Sequence, residues 1–236
     1  MRPRIAIVDY GVGNLRSAAK AMERAAAEVG REVEVRVTGE RAAIESAEAV
    51  VLPGVGAFAA CMQNLAAAGL VTSVKQTIAS GRPFLGICVG MQLLFEESEE
   101  FGPVEGLGVL PGRVVRFRSA GLKVPQIGWN ALHLERPSFA LDGIAEGTFF
   151  YFVHSYYPVP AERGVVAATT RYGEEEFAAA VARDNLFATQ FHPEKSQRAG
   201  LRLLGNFVRA AAGVRGTASG GPGTKGVGNG AARASA

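Results

Sequence analysis

Two short segments hold the residues best suited to covalent chemistry. In Gly86-Ile-Cys-Val-Gly90, Cys88 stands midway between two glycines, after an apolar run and ahead of a helical pattern. This is the cysteine form of a nucleophile elbow, a sharp strand-to-helix turn with glycines where a Cβ would collide. The sulfur would project from the C-terminal end of a strand over a helix N-terminus, whose partial positive charge favours thiolate. Cys61 lacks this context and reads as helix packing. A thiol nucleophile needs a base, and the chain offers His133, His154 and His192. Only His192 lies in a second organised segment, Gln190-Phe-His-Pro-Glu194. In extended chain, residues two apart face the same side at about 7 Å, so Glu194 can reach back to the ring. Pro193 would keep the segment extended. The carboxylate would hold one imidazole tautomer and stabilise the imidazolium, leaving the other nitrogen for Cys88.

A third segment, Pro53-Gly-Val-Gly-Ala57, follows an apolar strand pattern. Gly54 and Gly56 free the peptide at Val55 to turn its N–H toward a developing oxyanion, paired with the N–H of Val89. Gly11-Val-Gly-Asn14 resembles the start of a dinucleotide fingerprint, but Arg16 stands where its third glycine belongs, and that reading fails. The histidines lie far apart with no cysteine cluster, so neither a metal nor a cofactor is expected.

The elements that would position these segments alternate. Strands are predicted at Arg4–Asp9, Val33–Val37, Ala49–Pro53 and Pro83–Ile87, and helices over Leu15–Glu28, Ala57–Leu65, Leu70–Ser80 and Met91–Glu97. That order argues for βαβ units and an α/β, doubly wound, mainly parallel central sheet. The second half adds short strands at Val114–Phe117, Phe149–Val153, Val165–Thr170, Glu176–Val181 and Leu186–Phe191, several suited to antiparallel pairing, and a closing helix over Ser196–Ala212. The alanines of Glu174–Arg183 also favour helix, but turn residues bracket the segment and a strand is preferred.

The motifs resemble the class I (triad) glutamine amidotransferases, and among them the glutaminase subunits of imidazole glycerol phosphate synthases. The likeness covers about residues 4–211 and extends to Pro125-Gln-Ile-Gly-Trp-Asn130, His154-Ser-Tyr-Tyr157 and Gln190-Phe-His-Pro-Glu-Lys-Ser-Gln197. Val89 stands where the family often has leucine. The resemblance implies a flavodoxin-like fold with an added antiparallel portion. It implies a Cys88–His192–Glu194 triad, with Val89 and Val55 at the oxyanion and Gly54, Gly56, Gln92, Ser155 and Tyr156 around the glutamine. It further implies hydrolysis through a thioester, with ammonia passed to a separate cyclase subunit built as a (β/α)8 barrel, in histidine biosynthesis. Asn14, Gln126, Trp129, Asn130 and Lys195 are the implied contacts with that partner. Another amidotransferase subunit, a free-standing γ-glutamyl hydrolase and a non-catalytic flavodoxin-like binding module are the competing readings.

Composition narrows the classes further. The 236 residues are 48% hydrophobic, enough for one domain core. The net charge of +3 equals that of Arg215, Lys225 and Arg233 in an acid-free tail, leaving the body near neutral. A nucleic-acid footprint, which needs cations clustered on the folded domain, is not expected. Ile5–Val8 is too short for a signal-peptide core and no apolar run approaches a membrane span, so no membrane role and a cytoplasmic protein are expected. Residues 1–213 should form the amidotransferase domain, and 214–236, rich in Gly and Ala, a disordered tail.

Overall fold

The computed structural model describes residues 2–118 and 121–213; the expected tail lies outside them. Strand β1 (Arg4–Val8), helix α1 (Leu15–Glu28), β2 (Glu34–Thr38), α2 (Arg41–Ser46) and β3 (Ala49–Gly54) open the chain. Next come α3 (Phe58–Ala67), α4 (Val71–Ala79), β4 (Phe84–Cys88) and a single turn, α5 (Val89–Gln92). The middle holds β5 (Phe95–Ser98), β6 (Val104–Glu105), β7 (Leu110–Arg116), β8 (Gln126–Ala131), β9 (His133–Leu134), β10 (Phe149–His154) and β11 (Tyr156–Pro160). The chain then runs through β12 (Val166–Tyr172), β13 (Glu175–Arg183), β14 (Leu186–Thr189) and α6 (Gln197–Ala211).

Eight strands form the central sheet in the order β2-β1-β3-β4-β14-β13-β12-β9. The first five are mutually parallel, and β13, β12 and β9 extend the sheet antiparallel. Every residue of β3, β4 and β14 is buried, as parallel strands covered on both faces require. Helix α1 turns Ala18, Met22, Ala25 and Ala26 inward at helical spacing. Helix α6 packs against α1, closely because Gly205 has no side chain: a Cβ there would stand 2.7 Å from Val29 Cγ1. The added portion also holds a second sheet, β11-β7-β5-β6, antiparallel except for the parallel β5–β7 pair, and an antiparallel two-stranded ribbon, β10-β8. The flavodoxin-like, doubly wound expectation agrees with this order, and Glu175–Arg183 is a strand.

Met91–Glu97 is not a helix. The helix stops at Gln92, and Phe95–Ser98 pairs with β7 and β6. The cause is tertiary: Leu107, Val109 and Gly108 donate backbone N–H groups to the carbonyls of Leu93, Leu94 and Phe95, which a continued helix would need for itself. The sequence reading also passed over α2 and the strands β8 and β11. Strand β11 carries Pro158 and Pro160 and sits at a sheet edge, where a missing N–H costs little.

Candidate active site

The parallel register brings the three motifs to one edge. Gly54 of β3 lies beside Cys88 of β4, and Thr189 of β14 beside Ile87, so Gln190 and His192 continue past the same C-terminal end. That edge is where ligands bind in doubly wound sheets. Cys88 sits at φ 55°, ψ −113°, a strained conformation for a residue with a Cβ. The two glycines are needed for contact. A Cβ on Gly90 would lie 1.9 Å from the Leu52 carbonyl oxygen, and one on Gly86 3.0 Å from Ala188 Cβ.

His192 is held by its own backbone, whose N–H donates to the Tyr151 carbonyl at 2.9 Å, and by Ser196, whose hydroxyl donates to the His192 carbonyl at 2.7 Å. Its Nδ1 lies 2.8 Å from Glu194 Oε1, with both side chains almost fully buried. The expected pair forms, but not through extended chain: Pro193–Lys195 is a 3-10 turn, and the turn brings the carboxylate back to the ring. Burial alone would lower the His192 pKa. Hydrogen bonding with Cys88 and Glu194, reinforced by their charges, outweighs it and raises the pKa to about 10. The imidazolium is therefore the resident form at neutral pH, between sulfur and carboxylate.

The other two histidines do not compete. His133 is exposed on β9 and bonds to Glu146 at 2.9 Å. His154 stands among the rings of Phe117, Phe152 and Phe177. Its Nδ1–H donates to the Tyr156 carbonyl at 2.9 Å, while Nε2 is buried with no partner. Burial pushes its pKa down to about 3, so it is neutral. Between pH 6.5 and 3 the unfolded chain binds a proton that the folded one refuses. His154 therefore leaves stability intact above 6.5 and erodes it as pH falls toward 3, whereas the His192 contribution is full below 6.5 and lost on the alkaline side as pH rises through about 10. His154→Asn, which keeps a donor for Tyr156, should flatten the acid loss of stability by up to one proton's slope in urea unfolding between pH 6.5 and 4.5. An unchanged slope would show that this ring protonates freely.

A cleft of about 260 Å³ opens beside the sulfur. Val55, Gly56, Cys88, Val89, Gln92, Ser155, Tyr156, His192 and Lys195 line it, so most of the residues singled out in the sequence converge. Gly54 does not: it packs beneath, where a Cβ would meet Gly90 N at 2.7 Å. Gln92 is buried, and its Nε2 donates to the Tyr156 carbonyl at 2.8 Å and to Gln190 Oε1 at 3.0 Å. Gln190 in turn points Nε2 at Cys88 Sγ, 3.7 Å away. Sequence reasoning gave Gln190 no role, although its place two residues before His192 carried the signal. Glu100 was also passed over; it lines the cleft while one oxygen accepts the Phe58 N–H at 2.7 Å. Among the described residues no His, Cys, Asp or Glu cluster could hold a metal ion, and no helix is long and apolar enough to cross a membrane.

The β8–β10 ribbon shows one apolar face beside the cleft. Ile127, Trp129 and Phe149 are exposed on it, and Lys195 Nζ stands 5.9 Å over the Tyr151 ring. Asn14 is also at the surface. Gln126 is not. Strand alternation turns it inward, where Nε2 donates to Asn130 Oδ1 at 2.8 Å, and Asn130 Nδ2 donates to the Arg171 carbonyl at 2.5 Å. Direct contact of Gln126 with another molecule is thus corrected to support of the ribbon from behind.

The family model described as glutamine amidotransferase class-I matches residues 7–211. This chain belongs to that family. Within it, the amidotransferase is similar to the imidazole glycerol phosphate synthase subunit HisH of Syntrophotalea carbinolica, 54% identical over 209 residues, or 86% of this chain and 98% of that protein. The subunit HisH of Synechococcus elongatus is 51% identical over 212 residues, 89% of this chain and 94% of that one. Solved structures share the fold at lower identity. The glutaminase domain of Trypanosoma brucei CTPS superposes with TM-score 0.67 at 17% identity, covering 89% of this chain and 94% of that one. A glutamine amidotransferase from Thermotoga maritima gives 0.62 at 17% identity, covering 86% and 80%.

Proposed function

We propose that this chain is the glutaminase subunit of an imidazole glycerol phosphate synthase, acting in histidine biosynthesis in the cytoplasm. The observation that carries the reading is the buried His192–Glu194 pair, with His192 lining one cleft with Cys88 at its strained elbow, in a chain about half identical to HisH subunits. Cys88 sulfur attacks the side-chain amide carbon of glutamine, and the carbonyl π electrons move onto oxygen. The N–H groups of Val89 and Val55 stabilise that oxyanion. His192 gives its proton to the departing nitrogen, so ammonia leaves and a γ-glutamyl thioester remains. Water then attacks the thioester with His192 as base, releasing glutamate and restoring the thiolate. Gln92, Gly56, Ser155 and Tyr156 hold the glutamine, and the Glu100 carboxylate complements its ammonium group.

Ammonia released into water would be protonated and lose its nucleophilicity, so the product is passed on directly. The partner is a (β/α)8-barrel cyclase that docks on the rim carrying Asn14, Trp129 and Lys195, with the apolar ribbon face as its centre. Glutamate release should rise on adding the cyclase. A rate already maximal without it would favour a free-standing hydrolase, and no release in either state would reject the glutaminase reading. Trp129→Ala, which removes a large half-exposed aromatic from that face, should weaken the heterodimer by about 30-fold in Kd, measured by titration calorimetry. Unchanged affinity would place the partner elsewhere.

A further inference from the structure

The Pro53–Gly56 loop is tied down from behind by two side chains with no part in the chemistry above. Tyr10, two residues beyond β1, is buried, and its hydroxyl donates to the Pro53 carbonyl at 2.7 Å. Cys61, at the end of the first turn of α3, is fully buried, and its thiol donates to the Val55 carbonyl at 3.3 Å. The two groups adjoin one another, and burial pushes both upward in pKa, so each stays protonated and remains a donor at neutral pH.

The consequence lies in peptide geometry. In a trans peptide the C=O and N–H point in opposite directions. Drawing the Val55 carbonyl toward Cys61 therefore sends the Gly56 N–H the other way, and the Pro53 carbonyl bond does the same for the Gly54 N–H. Between these two fastened peptides lies the Gly54–Val55 peptide, whose N–H belongs to Val55 and which neither bond holds. Its flanks are confined as well. A Cβ on Gly54 would stand 3.0 Å from the Tyr10 hydroxyl on one side and 2.9 Å from Val89 Cβ on the other, and Gly56 adopts φ +87°. The loop is thus pressed between Tyr10 and the elbow, with Gly54 paired to Cys88 at the end of the β3–β4 ladder and the peptides on both sides of Gly54–Val55 anchored.

We propose that Tyr10 and Cys61 are positioning residues for amide hydrolysis: by holding the Pro53 and Val55 carbonyls they set the peptide that presents the Val55 N–H to the oxyanion. The inference rests on the glutaminase reading. A loop that matters for charge developing in the transition state should alter turnover more than glutamine binding.

The test compares Tyr10→Phe, Cys61→Ala and Cys61→Ser with the natural chain, each assembled with the cyclase partner. Tyr10→Phe and Cys61→Ala should each lower kcat about tenfold with KM for glutamine unchanged within about twofold. That is less than the roughly 100- to 1000-fold loss of a direct oxyanion donor. Cys61→Ser, whose hydroxyl donates to the same carbonyl, should restore kcat to within about threefold. Alkylation of Cys88 by iodoacetamide, which builds no oxyanion, should proceed at the natural rate in all three. The inference is overturned if kcat holds in both deletion variants, if serine rescues nothing, or if KM rises while kcat stays. Should the natural assembly itself release no glutamate, or release it equally after Cys88→Ala, the glutaminase reading falls first and takes this inference with it.

Discussion

Cys88→Ala should reduce glutamate release by at least about 10⁴-fold while the chain stays folded and still binds glutamine. The loss is large because in the proposed mechanism the sulfur forms the covalent intermediate and His192 and Glu194 serve it. Members of such a unit are not additive, and removing one forfeits most of what the set supplies. Stability should change little, since one buried atom is lost and the strained φ of 55° is kept by any residue with a Cβ. The imidazolium loses a partner, so the His192 pKa should fall from about 10. Glutamate release, calorimetric glutamine binding and the imidazole titration by NMR check these together. Activity within tenfold of the natural chain would exclude Cys88 as nucleophile.

The second large effect is on the fold. Gly90→Ala should destabilise the chain by upwards of about 4 kcal/mol, or prevent soluble expression, because its Cβ would lie 1.9 Å from the Leu52 oxygen. That oxygen cannot yield. Leu52 is fully buried in β3, which is paired on one side with β1 and on the other with β4. Gly56→Ala is the useful contrast. Its Cβ would meet nothing within 4 Å, and only the φ of +87° opposes it, at about 1–2 kcal/mol. Urea unfolding of both variants separates backbone collision from backbone strain. Equal losses would mean that the elbow is not packed on β3 as described.

Much of the fold could be read from local pattern. Helix α1 shows an apolar stripe at helical spacing, and β3 and β4 are short apolar runs bounded by Pro and Gly. The readings that failed are those in which distant chain competes with local preference. Leu93–Glu97 has helix-forming residues, yet residues 106–110 occupy its carbonyls. Strand β8, Gln-Ile-Gly-Trp-Asn-Ala, has an internal glycine and the polar residues Gln126 and Asn130, and becomes a strand only because β10 pairs with it along its whole length.

The site divides along the same line. Residue types and spacings alone singled out the proposed nucleophile and the His192–Glu194 pair, because a glycine-flanked cysteine and a histidine two positions from a carboxylate are short-range patterns. Which of three histidines meets Cys88 was settled by the register of β3, β4 and β14. Burial then made His154 neutral and left His192 charged. Gln190, Glu100, Tyr10 and Cys61 came into view only in three dimensions. Gln190, Glu100 and Tyr10 act on residues tens of positions away, and even Cys61, six residues from Val55, reaches its partner only across the turn into α3, so their hydrogen bonds exist only once the sheet is built.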